Sequence, residues 1–207
     1  MIKRNLNIKL LFLIKVFFIC IFLYLKSFTS YAKAADDLIV LGLDSAPVKI
    51  KIFSSFSCPH CASFHKKIVP EINRNYVESC KVQLIFIDFP LDQASFNASK
   101  LLHCLKRDKQ IKFLDMLYEN QDKWTNGSNI SEINNNLRKL VQTLGINSKH
   151  FNNCLNDETI SDKILNGRID GHQKYSINST PTIIINEKKL NDSASFKNIK
   201  KKIEKLI

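Results

Sequence analysis

The sequence predicts an α/β fold in which a βαβ unit is followed by a block of helices and then by a ββα unit. Strand-like patterns occupy residues 46–53, 82–89 and 182–185, a helical pattern separates the first two, and residues 94–175 carry only helical patterns. Two strands joined by one helix should be parallel, with a right-handed crossover. The sequence contains neither a repeat nor a long linker, so we predict one domain.

The first strand alternates apolar residues with lysines, as a half-buried strand does: Val48, Ile50 and Ile52 against Lys49 and Lys51. The next segment repeats apolar residues at every fourth position and predicts a helix: Phe64, Ile68 and Ile72. Pro70 should kink or break that helix, because proline removes a backbone donor. The second strand is apolar enough to lie in the centre of a sheet.

The helical block has its clearest apolar stripe in Ile130, Ile133, Leu137, Leu140, Val141 and Leu144. Gly145 follows that stripe at the position of a C-terminal cap. After the block, residues 186–188 can turn the strand 182–185 back into a short partner strand that ends near Leu190. A final amphipathic helix is predicted by Phe196, Ile199, Ile203 and Leu206.

Residues 1–34 have the pattern of a secretory signal, with a basic start, an apolar middle and Ala32-Lys33-Ala34 at the end. We therefore predict cleavage after Ala34, export, and a mature chain of residues 35–207. An uncleaved membrane anchor is the alternative, although Lys15 leaves an apolar run shorter than the roughly 20 residues of a span. The chain is basic, with a net charge of +12, but it has no basic patch interleaved with aromatic residues. We therefore expect no nucleic-acid partner.

The run Cys58-Pro59-His60-Cys61 directly follows the first strand and begins the helix. Pro59 suits a first helical turn, where its missing N–H costs nothing. Unpaired N–H groups and the helix dipole at this end favour a thiolate at Cys58, and a protonated His60 would add to that effect. Cys61 lies one turn further on, where it could resolve a mixed disulfide. The pattern thus indicates dithiol exchange.

Two interpretations of the Cys58–Cys61 pair without redox activity remain open. One is a structural bridge, and the other is half of a zinc site. A zinc site would need two further ligands, and the candidates form no second close pair: His65, Cys80, His103 and Cys104.

These residues, together with Phe53-Ser54-Ser55-Phe56-Ser57, Asp88-Phe89-Pro90-Leu91 and Ser179-Thr180-Pro181-Thr182-Ile183, resemble the DsbA family of periplasmic thiol–disulfide oxidoreductases. The resemblance implies a thioredoxin fold with a helical insertion at about 92–171. It also implies that Cys58 is the nucleophile, that Cys61 is the resolving thiol, and that Thr180-Pro181 forms a cis-proline loop beside them. There a client strand could pair with the backbone. The resemblance implies neither a metal nor a cofactor.

The helical block contains Cys104 and Cys154, each on an apolar helical face, and some DsbA relatives have a second bridge there. We therefore predict a structural disulfide between them, with two buried free thiols as the alternative. Cys80 would then be the leftover thiol.

Three positions depart from the family pattern. Ile52 stands where the best-known members have an acidic residue, which leaves the proton path of Cys61 unassigned. Thr180 before the proline is more typical of isomerase-type relatives. Cys80 stands where relatives often have glycine.

The sequence therefore predicts a periplasmic dithiol oxidase that donates its disulfide to unfolded or reduced exported polypeptides. A membrane-bound partner would reoxidise it. Only 23 residues separate Ala34 from Cys58, too few for the dimerisation domain of isomerase-type relatives, so we expect a monomer. A disulfide isomerase or reductase is the first alternative, and a non-catalytic binding or chaperone module is the second.

Overall fold

The computed structural model describes residues 14, 15, 17, 21 and 38–207. The chain divides into two compact units, Met1–Leu38 and Ile39–Ile207. In the first unit, the four described residues up to Ile21 are helical. The predicted cleavage site after Ala34 lies outside the described residues. Within the described part of the chain, no helix combines the length and the apolar character needed to cross a bilayer.

The second unit contains a five-stranded sheet in the order β1-β3-β2-β4-β5. Its strands are β1 (Ile39–Leu41), β2 (Val48–Ser54), β3 (Val82–Asp88), β4 (Thr182–Ile185) and β5 (Lys188–Lys189). The neighbours β2 and β3 run parallel in the register Ile50 to Leu84, and the other neighbours run antiparallel. The predicted α/β fold with a parallel β2–β3 pair is confirmed.

The helices of this unit fall into three groups. Between β2 and β3 lie α1 (Pro59–Lys67), α2 (Val69–Ile72) and a π-helical turn (Asn73–Val77). Between β3 and β4 lie α3 (Gln93–Cys104), α4 (Arg107–Glu119), α5 (Gln121–Trp124), α6 (Ile130–Gln142), α7 (Ser148–Leu155) and α8 (Glu158–Tyr175). After β5 comes α9 (Phe196–Ile203). The predicted break near Pro70 and the predicted helical block are both present.

The strand β1 was not predicted. It has three residues and pairs only with β3, in the register Val40 to Ile85. A segment of three residues is too short to show the alternation by which strands are recognised.

The predicted hairpin between β4 and β5 turns through Asn186 and Glu187, whose φ angles are +42° and +65°. Two successive residues in the left-handed region are typical of the tight turns that suit the twist of paired strands. The Asn186 side chain also accepts a hydrogen bond of 2.8 Å from the N–H of Lys49. The turn is therefore tied to the neighbouring strand β2.

The two faces of the sheet belong to different apolar clusters. One face packs on α1, α2 and α9 through fully buried side chains that include Ile50, Leu84 and Ile199. On the other face, Phe53 packs close to Gly171 of α8, and a Cβ atom at Gly171 would lie 2.6 Å from Cε1 of Phe53. Only glycine lets α8 approach the sheet this closely.

The helical block has a core of its own that continues into the start of α1. Its fully buried members include Phe113, Trp124, Leu137 and Phe151. The same cluster contains Phe56, Cys58, Cys61 and Tyr118. The block therefore forms one wall of the Cys58–Cys61 region.

Candidate active site

Cys58 is the N-cap residue of α1, with extended backbone angles, and Pro59 occupies the first helical turn. The Cys58 carbonyl accepts the first helical hydrogen bond, from the N–H of Ala62 at 3.1 Å. An N-cap side chain faces the unpaired N–H groups of the first turn. The Cys58 sulfur is therefore held at the positive end of the helix.

The Cys58 thiol is only 8% exposed, and this burial by itself opposes ionisation. The opposing hydrogen bonds are stronger in sum. They come from Thr180, from the N–H groups of Cys61 and His60, and from the Cys61 thiol, and they lower the pKa of Cys58. A larger fraction of Cys58 is thus thiolate at neutral pH than for an ordinary cysteine.

Cys61 has the opposite character. Its side chain is 1% exposed, and burial raises the pKa of the thiol to about 12, with the nearby Cys58 adding to the rise. Both cysteines carry free thiols in the structure. Cys58 is therefore the more acidic and the more exposed of the two thiols, whereas Cys61 is protonated at neutral pH and almost fully buried.

The Thr180–Pro181 peptide bond is cis, and the Cys58 thiol donates a hydrogen bond of 3.4 Å to the Thr180 carbonyl. The Thr180 hydroxyl is buried, and its interaction with the two sulfurs lowers the pKa of both Cys58 and Cys61. The structure thus brings Cys58, Cys61, Thr180 and Pro181 into one site.

The loop before Cys58 is held from the helical block by residues that the sequence analysis did not single out. Gln121 donates from Nε2 to the carbonyls of Phe56 at 2.6 Å and Cys58 at 3.0 Å. Ser95 Oγ accepts from the N–H of Phe56 and from Ser55 Oγ, each at 2.8 Å. These partners are 39 to 65 residues away in sequence, so no local pattern could have identified them.

His60 has an exposed side chain, and its favourable contact with Cys58 comes from its backbone N–H. An imidazole effect on the thiolate therefore remains a prediction. His65 and His103 are not next to the cysteine pair as zinc ligands would be. Each binds a carboxylate instead, Asp115 at 2.7 Å and Asp88 at 2.6 Å respectively.

Cys104 and Cys154 are joined by a disulfide between α3 and α7. Among the described residues, one set of potential metal ligands has its ligand atoms within 4.8 Å of one another, and it consists of these two cysteines and His150. Because both sulfurs are already bonded to each other, they are not available as thiolate ligands. Cys80 is free and exposed, with a φ of +59°, in the left-handed region that favours glycine.

A groove of about 560 Å³ lies beside the cis-proline loop. Its walls are the Phe89 loop, one side of α8 and the segment before Thr180, with Leu91, Leu165 and Ile169 exposed in or near it. Arg168 and His172 supply polar groups at its edge. An exposed apolar groove of this kind is typical of a binding surface.

A buried and an activated thiol at the start of a helix, facing a cis-proline loop on this sheet, define a thiol–disulfide oxidoreductase of the thioredoxin type. The comparisons with known proteins agree. The thioredoxin family profile matches residues 34–205, and the chain belongs to this family. The predicted resemblance to DsbA proteins is confirmed by the solved relatives.

The solved structure of alpha-DsbA1 from Wolbachia pipientis is 29% identical, with a TM-score of 0.74 over 82% of this chain and 90% of that one. Disulfide bond formation protein D of Bacillus subtilis is 27% identical over 80% of this chain and 75% of its own length. A protein of Rickettsia bellii named as a protein-disulfide oxidoreductase is 28% identical over 68% of this chain. The chain spans only 53% of that rickettsial relative.

Proposed function

We propose that the protein is an exported dithiol oxidase that donates a Cys58–Cys61 disulfide to reduced or unfolded polypeptides. The observation that carries the proposal is the opposite character of the two thiols. The pKa of Cys58 is lowered, whereas that of Cys61 is raised to about 12. A disulfide whose outer sulfur leaves readily as a thiolate is a good oxidant.

The client-binding role proposed for Thr180 and Pro181 rests on their contact with the attacking sulfur. The Thr180 carbonyl lies 3.4 Å from the Cys58 thiol, so a client chain that reaches Cys58 must pass along this backbone. An extended chain can pair with such a segment by β-strand addition, while apolar side chains of the client enter the groove beside α8. This combination suits unfolded polypeptides of varied sequence.

We place the protein in the periplasm as a monomer of residues 35–207, with residues 92–171 as the helical insertion. The support is the signal-like pattern of residues 1–34 and the DsbA resemblance. A membrane-bound oxidant would restore the disulfide, because each turnover leaves Cys58 and Cys61 reduced.

Replacement of Cys58 by serine should abolish oxidation of a reduced, unfolded model protein, with a loss of at least about 10³-fold, because the variant cannot form the Cys58–Cys61 disulfide that the client thiolate attacks. Cys61→Ser, mixed with a client that carries a disulfide, should instead accumulate a mixed disulfide, because Cys58 opens the client's bond and no Cys61 thiol is present to release the client. Formation of client disulfides and of the covalent complex can be followed by thiol alkylation and mass spectrometry.

Cys80→Ser is the matched control. Cys80 is a free and exposed cysteine, but the proposed exchange does not use it. It should oxidise the client at the wild-type rate. Retained activity in Cys58→Ser would contradict the role of Cys58, and no activity in either protein would indicate a binding or chaperone module.

A further inference from the structure

Dithiol exchange through this site requires a proton to reach and leave Cys61. The Cys61 sulfur is almost fully buried, and its pKa of about 12 means that the thiolate formed during exchange is protonated at neutral pH. Ile52, which is 2% exposed on β2, can neither give nor accept a proton. The proton must therefore travel through other groups.

Tyr118 of α4 is 3% exposed and packs in the core of the helical block. It belongs to the same apolar cluster as Cys58 and Cys61, and its ring lies 5.1 Å from that of Phe56. Burial raises the pKa of the Tyr118 phenol well above its usual range, and a negative charge on Cys61 raises it further. Its hydroxyl is thus a neutral group that responds directly to the charge on Cys61.

A cavity of about 10 Å³ lies next to Tyr118. It is lined by Tyr118, Ser54 and Asp88 together with apolar side chains from the sheet and the helical block. Its size is close to the minimum that one water molecule requires, and its three polar side chains are enough partners to hold one. Tyr118 and Asp88 thus share one polar space inside the core.

Asp88 ends β3 opposite Ser54 and is an ionisable group with no part in the exchange described above. His103 Nε2 lies 2.6 Å from its Oδ2 atom, and the Ser99 hydroxyl donates to its Oδ1 atom at 2.6 Å. Burial opposes ionisation of Asp88, but His103, Ser99 and the charge of Lys163 together lower the pKa of the carboxyl. A charged carboxylate is therefore held in a nearly buried pair with His103, and the two side chains are 9% and 10% exposed.

We propose that Tyr118, the adjoining cavity and the Asp88–His103 pair form a proton relay for Cys61. Tyr118 is the group at the Cys61 end, and the Asp88–His103 pair is the end that connects to solvent. The relay takes over the task of the acidic residue that Ile52 replaces. This inference rests on the proposed dithiol exchange.

The chemistry balances in both directions. When a client thiolate attacks Cys58, a new S–S bond forms, the Cys58–Cys61 bond breaks, and its electron pair stays on Cys61. The Cys61 thiolate then takes a proton from Tyr118, which recovers one through the cavity from the Asp88–His103 end. When Cys61 attacks a mixed disulfide at Cys58, the same groups carry its proton outward and the thiol bound to Cys58 leaves.

Other charged or titratable groups also lie around Tyr118. Cys58 faces it from the start of α1, and His65 of α1 stacks on its ring at 4.8 Å while binding Asp115 of α4. The His65–Asp115 pair does not line the cavity. The His65–Asp115 pair is thus a second histidine–carboxylate pair next to Tyr118 that is not part of the proposed relay, and it provides a control for it.

The test isolates the step in which Cys61 acts. In a Cys80→Ser background, the reduced protein is mixed with dithiobis(nitrobenzoate). Attack by Cys58 releases one coloured thionitrobenzoate, and attack by Cys61 on the mixed disulfide releases the second. At neutral pH, Asp88→Asn and Tyr118→Phe should slow the second release about tenfold or more, as expected for loss of proton transfer, and should change the first less than about twofold. The deficit should shrink at alkaline pH, where hydroxide can take the proton.

Asp115→Asn is the matched control, and it should leave both releases unchanged. Tyr118→Phe keeps the ring and its packing. If Asp88→Asn does not fold, Tyr118→Phe and His103→Gln therefore test the relay without it. The relay is overturned if the second release in these variants keeps the wild-type rate and pH profile, or if Asp115→Asn slows it equally. A parent protein that released no second thionitrobenzoate would contradict the proposed dithiol exchange instead.

Discussion

The reduced protein should be more stable than the oxidised protein at pH 7. Reduction creates a Cys58 thiolate that Thr180 and the N–H groups of Cys61 and His60 stabilise. Hydrogen bonds to a charged group contribute about 1.5–3 kcal/mol each. The short Cys58–Cys61 loop opposes this by about 2 kcal/mol, because the disulfide restricts the unfolded oxidised chain.

The sign of the pH dependence follows from the direction of each shift. The lowered pKa of Cys58 gives a stabilisation that is complete above the unfolded pKa, about 8.5, and is lost as pH falls through the folded value. The raised pKa of Cys61 gives a second stabilisation. It is complete below about pH 8.5, the unfolded pKa, and is lost as the pH rises toward about 12. The difference in unfolding free energy between the reduced and the oxidised form should thus be largest at mildly alkaline pH. It should decrease toward acidic pH and toward strongly alkaline pH.

Denaturant unfolding of both redox forms between pH 4 and 9 measures this advantage. Thr180→Val should reduce it, because that variant loses the buried hydroxyl that acts on both sulfurs. An oxidised form that is more stable at pH 7 would indicate a reductase.

Removal of the second disulfide by Cys104→Ala with Cys154→Ala should destabilise the protein by about 4 kcal/mol. The bridge closes an interval of 50 residues, and the chain-entropy estimate for such a loop is about 4 kcal/mol. The double variant and the wild type would be compared by denaturant unfolding in the oxidised state.

Cys80→Ser provides the control for loss of a cysteine as such, and its unfolding free energy should match that of the wild type within about 0.5 kcal/mol. An unchanged stability of the double variant would mean that the bridge contributes nothing to the fold of the helical block. The reactivity of Cys58 toward small disulfides should be unaffected, because the bridge joins α3 to α7, away from the start of α1.

The elements that were predictable from sequence are those whose patterns are local. The alternation around Ile50, the apolar run of β3 and the stripe through Leu137 each carry a period over several residues. The Cys58–Cys61 pair was identified from its local pattern, but Thr180–Pro181 could be linked to it only through the DsbA resemblance, because 122 residues separate Cys58 from Thr180.

The features of the site that could not be predicted from the sequence are contacts between residues that are distant in the chain. Gln121 reaches the loop before Cys58 only because the helical block folds back over α1. Ser99 and His103 are one helical turn apart, but their common target, Asp88, is defined only once β3 and α3 are packed together. Buried polar side chains of this kind resemble ordinary surface residues in a sequence.

The reduction potential of the Cys58–Cys61 pair distinguishes an oxidase from a reductase. It is obtained by equilibrating the protein with defined glutathione buffers and counting free thiols by alkylation and mass spectrometry, in a Cys80→Ser background. A stabilised Cys58 thiolate predicts an oxidising pair, with a potential less negative than about −180 mV. A potential near about −270 mV, typical of a reducing thioredoxin, would contradict the account of this protein as an oxidase.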